Sequence, residues 1–395
     1  MTAAAAVALA AAGCTADGGG GGGDTLRIGA SLPLTGEFSQ GGSDTQRGYE
    51  TWVEMTNEAG GLLGKKVEII VKDDATQQET AVSNYNSLIA QDKVDLLLGS
   101  QSSLLNIPAS AIAEKNKMLF VCPSCGSPEM FSRGFQYIFF SQQSMASDQA
   151  QVFADWIANL PPEQRPKTAA YPTLDDPFTK PVVDSVEHIL SAAGITTVYQ
   201  DQYPASTKNL DSVVNAMKQA GADIVVNGSQ FEDGVNMVRA MNRAGYQPSI
   251  LYQSSSPTFG KQYLEAVGDQ NAEGVLFSSS YSTLADTHQN AEFVERFQAK
   301  FGELPPEDAA DGFAAGQVLA AAVEAVGSVD DQSKLADWLR DNSVDTLLGT
   351  LSWNADGSPK GEFLVGQWQG GVPQVVLPTD VATTEKILRW RGGDL

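Results

Sequence analysis

The sequence predicts an α/β protein built from two Rossmann-like lobes with parallel sheets. Short apolar segments alternate along most of the chain with amphipathic segments of roughly 10 to 15 residues. This alternation is typical of βαβ units, in which helices cover both faces of a parallel sheet. A chain of 395 residues also exceeds what one hydrophobic core usually organises. We therefore expect each lobe to have its own sheet.

The first half of the chain shows the alternation clearly. Apolar runs predict strands over residues 26–32, 67–72, 94–98 and 118–121. Helical spacing of apolar residues predicts helices over residues 43–57, 78–91 and 108–116.

The second half repeats the pattern. Helices are predicted over residues 150–159, 180–193, 209–220, 233–244 and 307–326, and strands over residues 223–227 and 249–252. Phe293, Phe297 and Phe301 recur at helical spacing and indicate a buried helix face. The segment 363–368 is expected to be an edge strand, after a hairpin turn at residues 354–357.

Composition and charge exclude several functional classes. Apolar residues make up 42% of the chain and charged residues 18%, which is a globular balance and not that of a disordered protein. The formal net charge of −23 would repel nucleic acids and anionic membrane surfaces, so neither is expected as a partner.

The start of the chain resembles a bacterial lipoprotein signal. Residues 1–13 are mostly alanine, and Cys14 would accept the lipid. Residues 14–23 then form the lipidated cysteine with a glycine-rich tether. Because no basic residue precedes Arg27, we expect the true start codon to lie upstream. The protein is thus expected on the outer face of the cell membrane, anchored only through this lipid.

Cys122 and Cys125 form a Cys-x-x-Cys pair that leaves several interpretations open. The pair could be a disulfide, a redox centre, half of a metal site or an ordinary loop. A zinc site needs four ligands, and the two histidines, His188 and His288, are far away in the sequence. We expect neither a metal nor a cofactor.

Three loops that follow predicted strands are rich in hydroxyl groups. They span residues 99–103, 122–129 and 253–256. Ligands of open parallel sheets bind at the carboxyl ends of the strands. Hydroxyls and the free amides of helix N-termini make an anion site that needs no lysine, so these loops predict a site for a small carboxylate.

The order of these segments carries a family resemblance. The matching stretches are residues 34–36, 57–65, 73–74, 98–103, 122–129 and 349–357. Together they resemble the type I substrate-binding proteins of ABC importers, of the branched-chain amino acid or leucine-binding kind. The resemblance covers nearly the whole chain after the tether. It implies two lobes joined by a three-strand hinge, with residues 24–141 and 279–351 in lobe 1 and residues 142–278 and 352–395 in lobe 2.

The resemblance also implies where the ligand binds. Ser103 stands where the family binds the ligand carboxylate, and Ser124 stands in the second loop that assists it. Other positions have changed: Gly126 and Ser254 replace the partners of the ligand ammonium, Phe178 and Gln230 replace tyrosines, and Gly41 replaces a tryptophan for which Phe38 could compensate. Ser102 and Cys125, beside the matched positions, complete the candidate set.

These changes bear on the ligand. Four acidic residues near the matched positions could replace the lost carboxylate, namely Asp175, Asp176, Glu232 and Asp233. Otherwise the ligand would lack an ammonium. Gly126 and Ser254 offer an α-ammonium neither a hydroxyl acceptor nor a carboxylate, and Gly41 leaves the apolar pocket wider than a branched aliphatic chain requires. Ordinary leucine, isoleucine and valine are therefore expected to bind weakly or not at all.

The function implied is extracytoplasmic capture of an amino acid or a related small carboxylate or amide, and its delivery to an ABC permease by a monomeric protein. The alternative is a ligand-sensing module of the same fold that serves a receptor. An enzyme is not expected, since the chain offers no nucleophile elbow, phosphate loop or metal cluster.

Overall fold

The computed structural model describes residues 25–395. The signal segment, Cys14 and the tether predicted from the sequence lie outside the described residues. The strands are β1 (Thr25–Leu32), β2 (Lys66–Asp73), β3 (Leu96–Leu98), β4 (Phe120–Cys122), β5 (Ile138–Phe140), β6 (Thr168–Leu174), β7 (Thr196–Tyr203), β8 (Ile224–Asn227), β9 (Ile250–Gln253), β10 (Leu276–Ser279), β11 (Val344–Thr346), β12 (Gly349–Leu351), β13 (Leu364–Gln369) and β14 (Val372–Leu377). The helices are α1 (Ser39–Glu58), α2 (Gln78–Ala90), α3 (Ser103–Asn116), α4 (Gln151–Asn159), α5 (Thr179–Ala192), α6 (Asp211–Ala220), α7 (Phe231–Ala244), α8 (Lys261–Val267), α9 (Asp269–Ala272), α10 (Asn290–Phe301), α11 (Glu307–Val326) and α12 (Gln332–Asp341).

The first sheet is parallel throughout and has the strand order β2-β1-β3-β4-β5. One of its faces packs on α1, α10 and α11, where Tyr49, Trp52 and Phe313 are buried in one apolar cluster. Helices α2 and α3 cover a second cluster on the other side. Helices on both faces are what the alternating sequence pattern predicts.

The second sheet has the order β14-β13-β10-β9-β8-β6-β7. Strands β6 to β10 are parallel neighbours, whereas β13 and β14 join in antiparallel orientation. The segment 363–368 does contain a strand, β13, but the prediction that this strand lies at the edge is wrong. Strand β13 lies inside the sheet, and β14 forms the edge. Apolar clusters lie on both faces of this sheet as well.

Helix α3 begins earlier than predicted, at Ser103 instead of residue 108. The Ser102 side chain caps it by accepting a hydrogen bond from the Leu105 amide at 3.4 Å. Pro108 lies inside the helix and cannot donate to the carbonyl of Leu104. Gln78 supplies the missing donor, since its side-chain amide donates to that carbonyl at 3.0 Å. The helix N-terminus is thereby fixed at the carboxyl end of β3.

Helix α11 is long and apolar enough to cross a membrane, but 72% of its apolar window is buried inside the protein. It packs closely on α1, where a Cβ atom on Gly48 would clash with the Ala309 carbonyl. This close approach identifies α11 as a core helix of the first lobe and brings its N-terminal turn to the region between the two sheets.

The chain passes from the first lobe to the second after β5, returns to the first lobe after β10, and passes to the second lobe again after β12. The side-chain amide of Gln143, on the first connection, donates to the carbonyls of Ser280 at 2.7 Å and Leu348 at 2.8 Å. On the third connection, the Trp353 indole donates to the Phe140 carbonyl at 2.7 Å. Trp353 is buried in the core of the first lobe. This segment of the first lobe therefore extends beyond residue 351, the limit expected from the sequence.

Candidate functional site

A cavity of about 50 Å³ lies between the lobes, where the loops that follow the strands of both sheets meet. The first lobe contributes Gln101, Ser102, Ser103, Ser124, Gly126, Phe140, Gln142, Glu307, Asp308 and Asp311. The second lobe and the segment leading into it contribute Gln149, Phe178, Gln230, Ser254, Ser255 and Thr258. The lining is dominated by hydroxyl, amide and carboxyl groups.

Most of the residues singled out in the sequence come together here. Ser102, Ser103, Ser124, Gly126, Phe178, Gln230 and Ser254 all line the cavity. Two do not. The Cys125 side chain is fully buried in the core beneath the loop, and Phe38 packs against Ala81 and Leu105 outside the cavity.

Asn106 fixes the two hydroxyl-rich loops of the first lobe. Its side-chain oxygen accepts the Ser100 amide at 2.7 Å, and its nitrogen donates to the carbonyls of Ser100 at 2.7 Å and Ser124 at 3.0 Å. Asn106 is completely buried. Because these bonds join the loops after β3 and β4, they set the positions of Ser103 and Ser124 relative to each other.

Ser103 presents a hydroxyl at the start of α3. Its oxygen accepts a hydrogen bond from the Ser127 amide at 3.1 Å, which leaves the hydroxyl proton free to donate into the cavity. The first-turn amides of a helix have no intrahelical acceptor, and the helix dipole favours negative charge at this end. This end of the cavity is therefore a donor site suited to a carboxylate or another oxygen acceptor.

Ser254 acts differently from Ser103. Its hydroxyl accepts the Ser229 amide and donates to the Ser229 carbonyl, both at 2.9 Å. With donor and acceptor both engaged, Ser254 joins two loops of the second lobe and has no proton to offer a ligand.

The space beside Gly41 is polar and occupied. A Cβ atom there would lie 2.6 Å from the side-chain amide of Gln101 and 2.9 Å from a carboxylate oxygen of Asp308. The expected wider apolar pocket is thus absent at this position of the described structure, because these two side chains fill it. Phe38 does not compensate, since it faces a different cluster.

Cys122 and Cys125 are paired as a disulfide, with their Cα atoms 6.0 Å apart. The bridge closes the turn that carries Ser124. Of the interpretations left open by the sequence, the structure therefore corresponds to the local disulfide.

Three carboxyl groups that the sequence analysis missed line the cavity. Glu307, Asp308 and Asp311 all come from the first turns of α11, and we call them the α11 acid cluster. Asp311 is 2% exposed and accepts hydrogen bonds from Ser280 at 2.8 Å and from Gln142. Ser279 donates to Glu307. The sequence signal was a Glu-Asp-x-x-Asp start to an otherwise apolar helix.

Burial shifts the protonation of all three groups. Removal from water raises the pKa of Glu307 to about 7. For Asp308, burial is again the largest cause, and the negative charges of Asp44 and Glu307 help to hold its pKa well above the usual range. The pKa of Asp311 is also raised well above its usual range, by burial and then by Glu307 and Asp308.

The acids expected to replace a lost carboxylate do not line the cavity. Asp233 accepts hydrogen bonds from the Tyr203 hydroxyl at 2.7 Å and the Gln230 amide at 2.9 Å. Glu232 pairs with Lys208 at the surface. Asp176 accepts the amides of Phe178 and Thr179 at the start of α5. The carboxyl groups that line the cavity are instead those of the α11 acid cluster.

Two sheets, three connections and a polar cavity between strand-end loops define a two-lobed solute-binding protein. The sequence profile of the family described as periplasmic binding protein matches residues 25–372, and the chain belongs to this family. Leu/Ile/Val-binding protein homolog 3 of Brucella melitensis is 29% identical over 352 residues, covering 88% of this chain and 92% of the relative. An amino acid binding protein of Pseudomonas aeruginosa is 28% identical over 346 residues, covering 86% of this chain and 89% of the relative.

Solved structures share the fold. The branched-chain amino acid transporter substrate binding protein LivJ of Streptococcus pneumoniae, in complex with isoleucine, superposes with a TM-score of 0.77 at 20% identity and covers 89% of this chain and 99% of its own. A solute binding protein of an ABC transporter from R. palustris, in complex with benzoate, has a TM-score of 0.78 at 19% identity. The match covers 94% of this chain and 97% of that protein's chain.

Proposed function

We propose that the protein is the extracytoplasmic solute-binding component of an ABC importer. It captures an amino acid or a related small carboxylate or amide between its lobes and delivers it to the permease. The observation that carries this proposal is the cavity, whose lining comes from strand-end loops of both sheets. A ligand that contacts both lobes stabilises the closed arrangement, which the permease would then recognise.

The capture step can be tested on protein purified from cells without denaturation. We expect mass spectrometry of the solute released by unfolding to find one dominant small organic compound. We also expect the radius of gyration, measured by small-angle scattering, to fall when that compound is returned to solute-free protein. An unchanged radius of gyration on return of the identified compound, or no bound small organic compound at all, would contradict the proposal.

Ser103 is proposed to bind the ligand's carboxylate or equivalent oxygen. A hydrogen bond to a charged group contributes roughly 1.5–3 kcal/mol, so Ser103→Ala is expected to weaken binding of the co-purified solute about ten- to a hundredfold. Isothermal titration calorimetry measures this. Ser110→Ala on the same helix, which removes a buried hydroxyl outside the cavity, serves as the control and should leave the affinity unchanged. Equal affinities for wild type and Ser103→Ala would rule out the assignment.

We further propose that the protein acts as a monomer. The lobes are proposed to divide as the resemblance implies, except that the last segment of lobe 1 ends after Trp353 and not at residue 351. We also propose that Cys14 carries the lipid anchor. The apolar, small-residue segment before Cys14 supports the anchor. In a bacterial host that exports the chain, the protein is expected to incorporate a labelled fatty acid, and Cys14→Ser is expected not to. Incorporation of the label by Cys14→Ser would argue against lipidation at this cysteine.

A further inference from the structure

The cavity has an excess of hydrogen-bond acceptors at its α11 end. Glu307, Asp308 and Asp311 place three carboxyl groups there, while no lysine, arginine or histidine of the described chain lines the cavity. A carboxyl group removed from water ionises only beside a positive partner or several donors. The hydrogen bonds from Ser279, Ser280 and Gln142 meet only part of this need.

Two buried amide oxygens add to this excess. Gln101 is 5% exposed and Gln149 is 6% exposed, and the side-chain oxygen of each has no hydrogen-bond partner. The side-chain nitrogen of Gln149 donates to the Ser254 carbonyl at 3.1 Å, which leaves its side-chain oxygen as the unpartnered atom. Both residues line the cavity, so the unpartnered atoms are acceptors that await donors.

The protein does not supply the missing positive charge from nearby. The Arg47 guanidinium on α1 is bound by Asp44 and Glu303, and it lies over the ring of Phe297. A metal ion is not favoured either, because no group of three or more His, Cys, Asp or Glu side chains within residues 25–395 is arranged to hold one. The positive charge is therefore expected from the ligand.

We infer that the solute is an organic cation of net positive charge, with an amine or guanidinium group against the α11 acid cluster. This inference rests on the proposed function and narrows its substrate class. A zwitterion such as leucine brings one ammonium, whose charge its own carboxylate balances, to a cavity with three carboxyl groups. An amino acid with a cationic side chain adds a second positive group, and a guanidinium side chain offers five N–H donors, so such a solute matches the acceptors better.

The test uses the full-length protein freed of bound solute by partial unfolding, dialysis and refolding. Lysine, arginine and ornithine are compared with leucine and benzoate by thermal shift and calorimetry. The double variant Glu307→Gln/Asp308→Asn keeps the shape of both side chains and removes two charges. The control, Glu295→Gln/Asp148→Asn, makes the same chemical change at exposed positions outside the cavity.

At least one of the three cations is expected to raise the melting temperature of the wild type more than leucine or benzoate does. Its affinity should fall at least tenfold in the cluster variant and stay unchanged in the control. If the cluster variant does not fold, Asp308→Asn alone is measured in the same way. The inference is overturned if no cation stabilises the wild type, or if the affinity for the cation survives loss of the cluster charges. Tight binding of leucine or benzoate alone would overturn it and leave the proposed function intact, whereas failure of all solutes, including the co-purified one, would count against both.

Discussion

Trp353→Ala is expected to lower the stability of the protein by about 3–5 kcal/mol, the cost of emptying a buried aromatic site. The Trp353 side chain is 1% exposed, and its ring meets that of Phe139 edge to face with centroids 5.9 Å apart. Its indole nitrogen also donates to the Phe140 carbonyl at 2.7 Å. The substitution therefore removes core packing and a hydrogen bond between the third and the first connection.

Urea unfolding of the solute-free protein measures this loss. Trp353→Phe should cost less, because it keeps an aromatic ring in the core and loses mainly the hydrogen bond. Trp338→Ala is the control, since Trp338 is only partly buried against the same core. If Trp353→Ala were no more destabilising than Trp338→Ala, the third connection would not be anchored to the first lobe as described.

The fold class could be predicted because many of the strands and helices have a local sequence pattern. The apolar run Leu96–Leu98 is buried on both faces, as expected for a parallel sheet, and Phe293 and Phe297 are buried in the first core. Strand β6 was not predicted because Pro172 interrupts it, and proline is unusual inside a sheet. Its carbonyl nonetheless accepts the Gly228 amide at 3.1 Å.

The strand-end loops of the candidate site were predictable from the sequence, and its α11 part was not. Ser103 and Ser124 follow strands, so the topology of a parallel sheet is sufficient to place them at one edge. The α11 acid cluster begins a helix and follows no strand of the sheet. Its position depends on packing between segments far apart in the chain: Asp311 and Gln142, which share a hydrogen bond, are 169 residues apart. No local pattern contains that information.

The same distinction applies to the partner of a ligand ammonium. Gly126 and Ser254 line the cavity as predicted, and neither offers a carboxylate. The four acids that could replace one do not line the cavity, whereas the α11 acid cluster does. A position-by-position comparison cannot detect a carboxyl group that another element supplies.

The solute-free protein is expected to lose stability as pH rises from about 4.5 to about 7. Burial raises the pKa of Glu307 from 4.5 to about 7, so between these values the folded state binds more protons than the unfolded state. Stability then falls with increasing pH, because folding must keep a carboxylate away from water. Glu307 alone would account for on the order of 3 kcal/mol across this range. The raised pKa values of Asp308 and Asp311 act in the same direction.

Buried acids elsewhere also lower the stability as pH rises. Variants are therefore needed to measure how much of the loss comes from the α11 acid cluster. The pKa of Asp233 is raised to about 7 and that of Asp74 to about 6, in both cases chiefly by burial. Melting temperatures of wild type, Glu307→Gln and Glu295→Gln at pH 5 and pH 7.5 separate the contribution of Glu307 from that of the other buried acids. Glu307→Gln should reduce the difference between the two pH values, and Glu295→Gln, exposed on α10, should not.

A saturating organic cation should flatten this pH dependence in the wild type, since it stabilises the ionised cluster that the empty cavity penalises. Its affinity should accordingly rise between pH 5 and pH 7.5, as the cluster loses protons. The opposite order, with tighter binding at pH 5, would mean that the solute binds the protonated carboxyl groups as a neutral or anionic species. A Glu307→Gln variant with the same pH dependence as the wild type would show that Glu307 ionises at its ordinary pKa and is not held in a desolvated site.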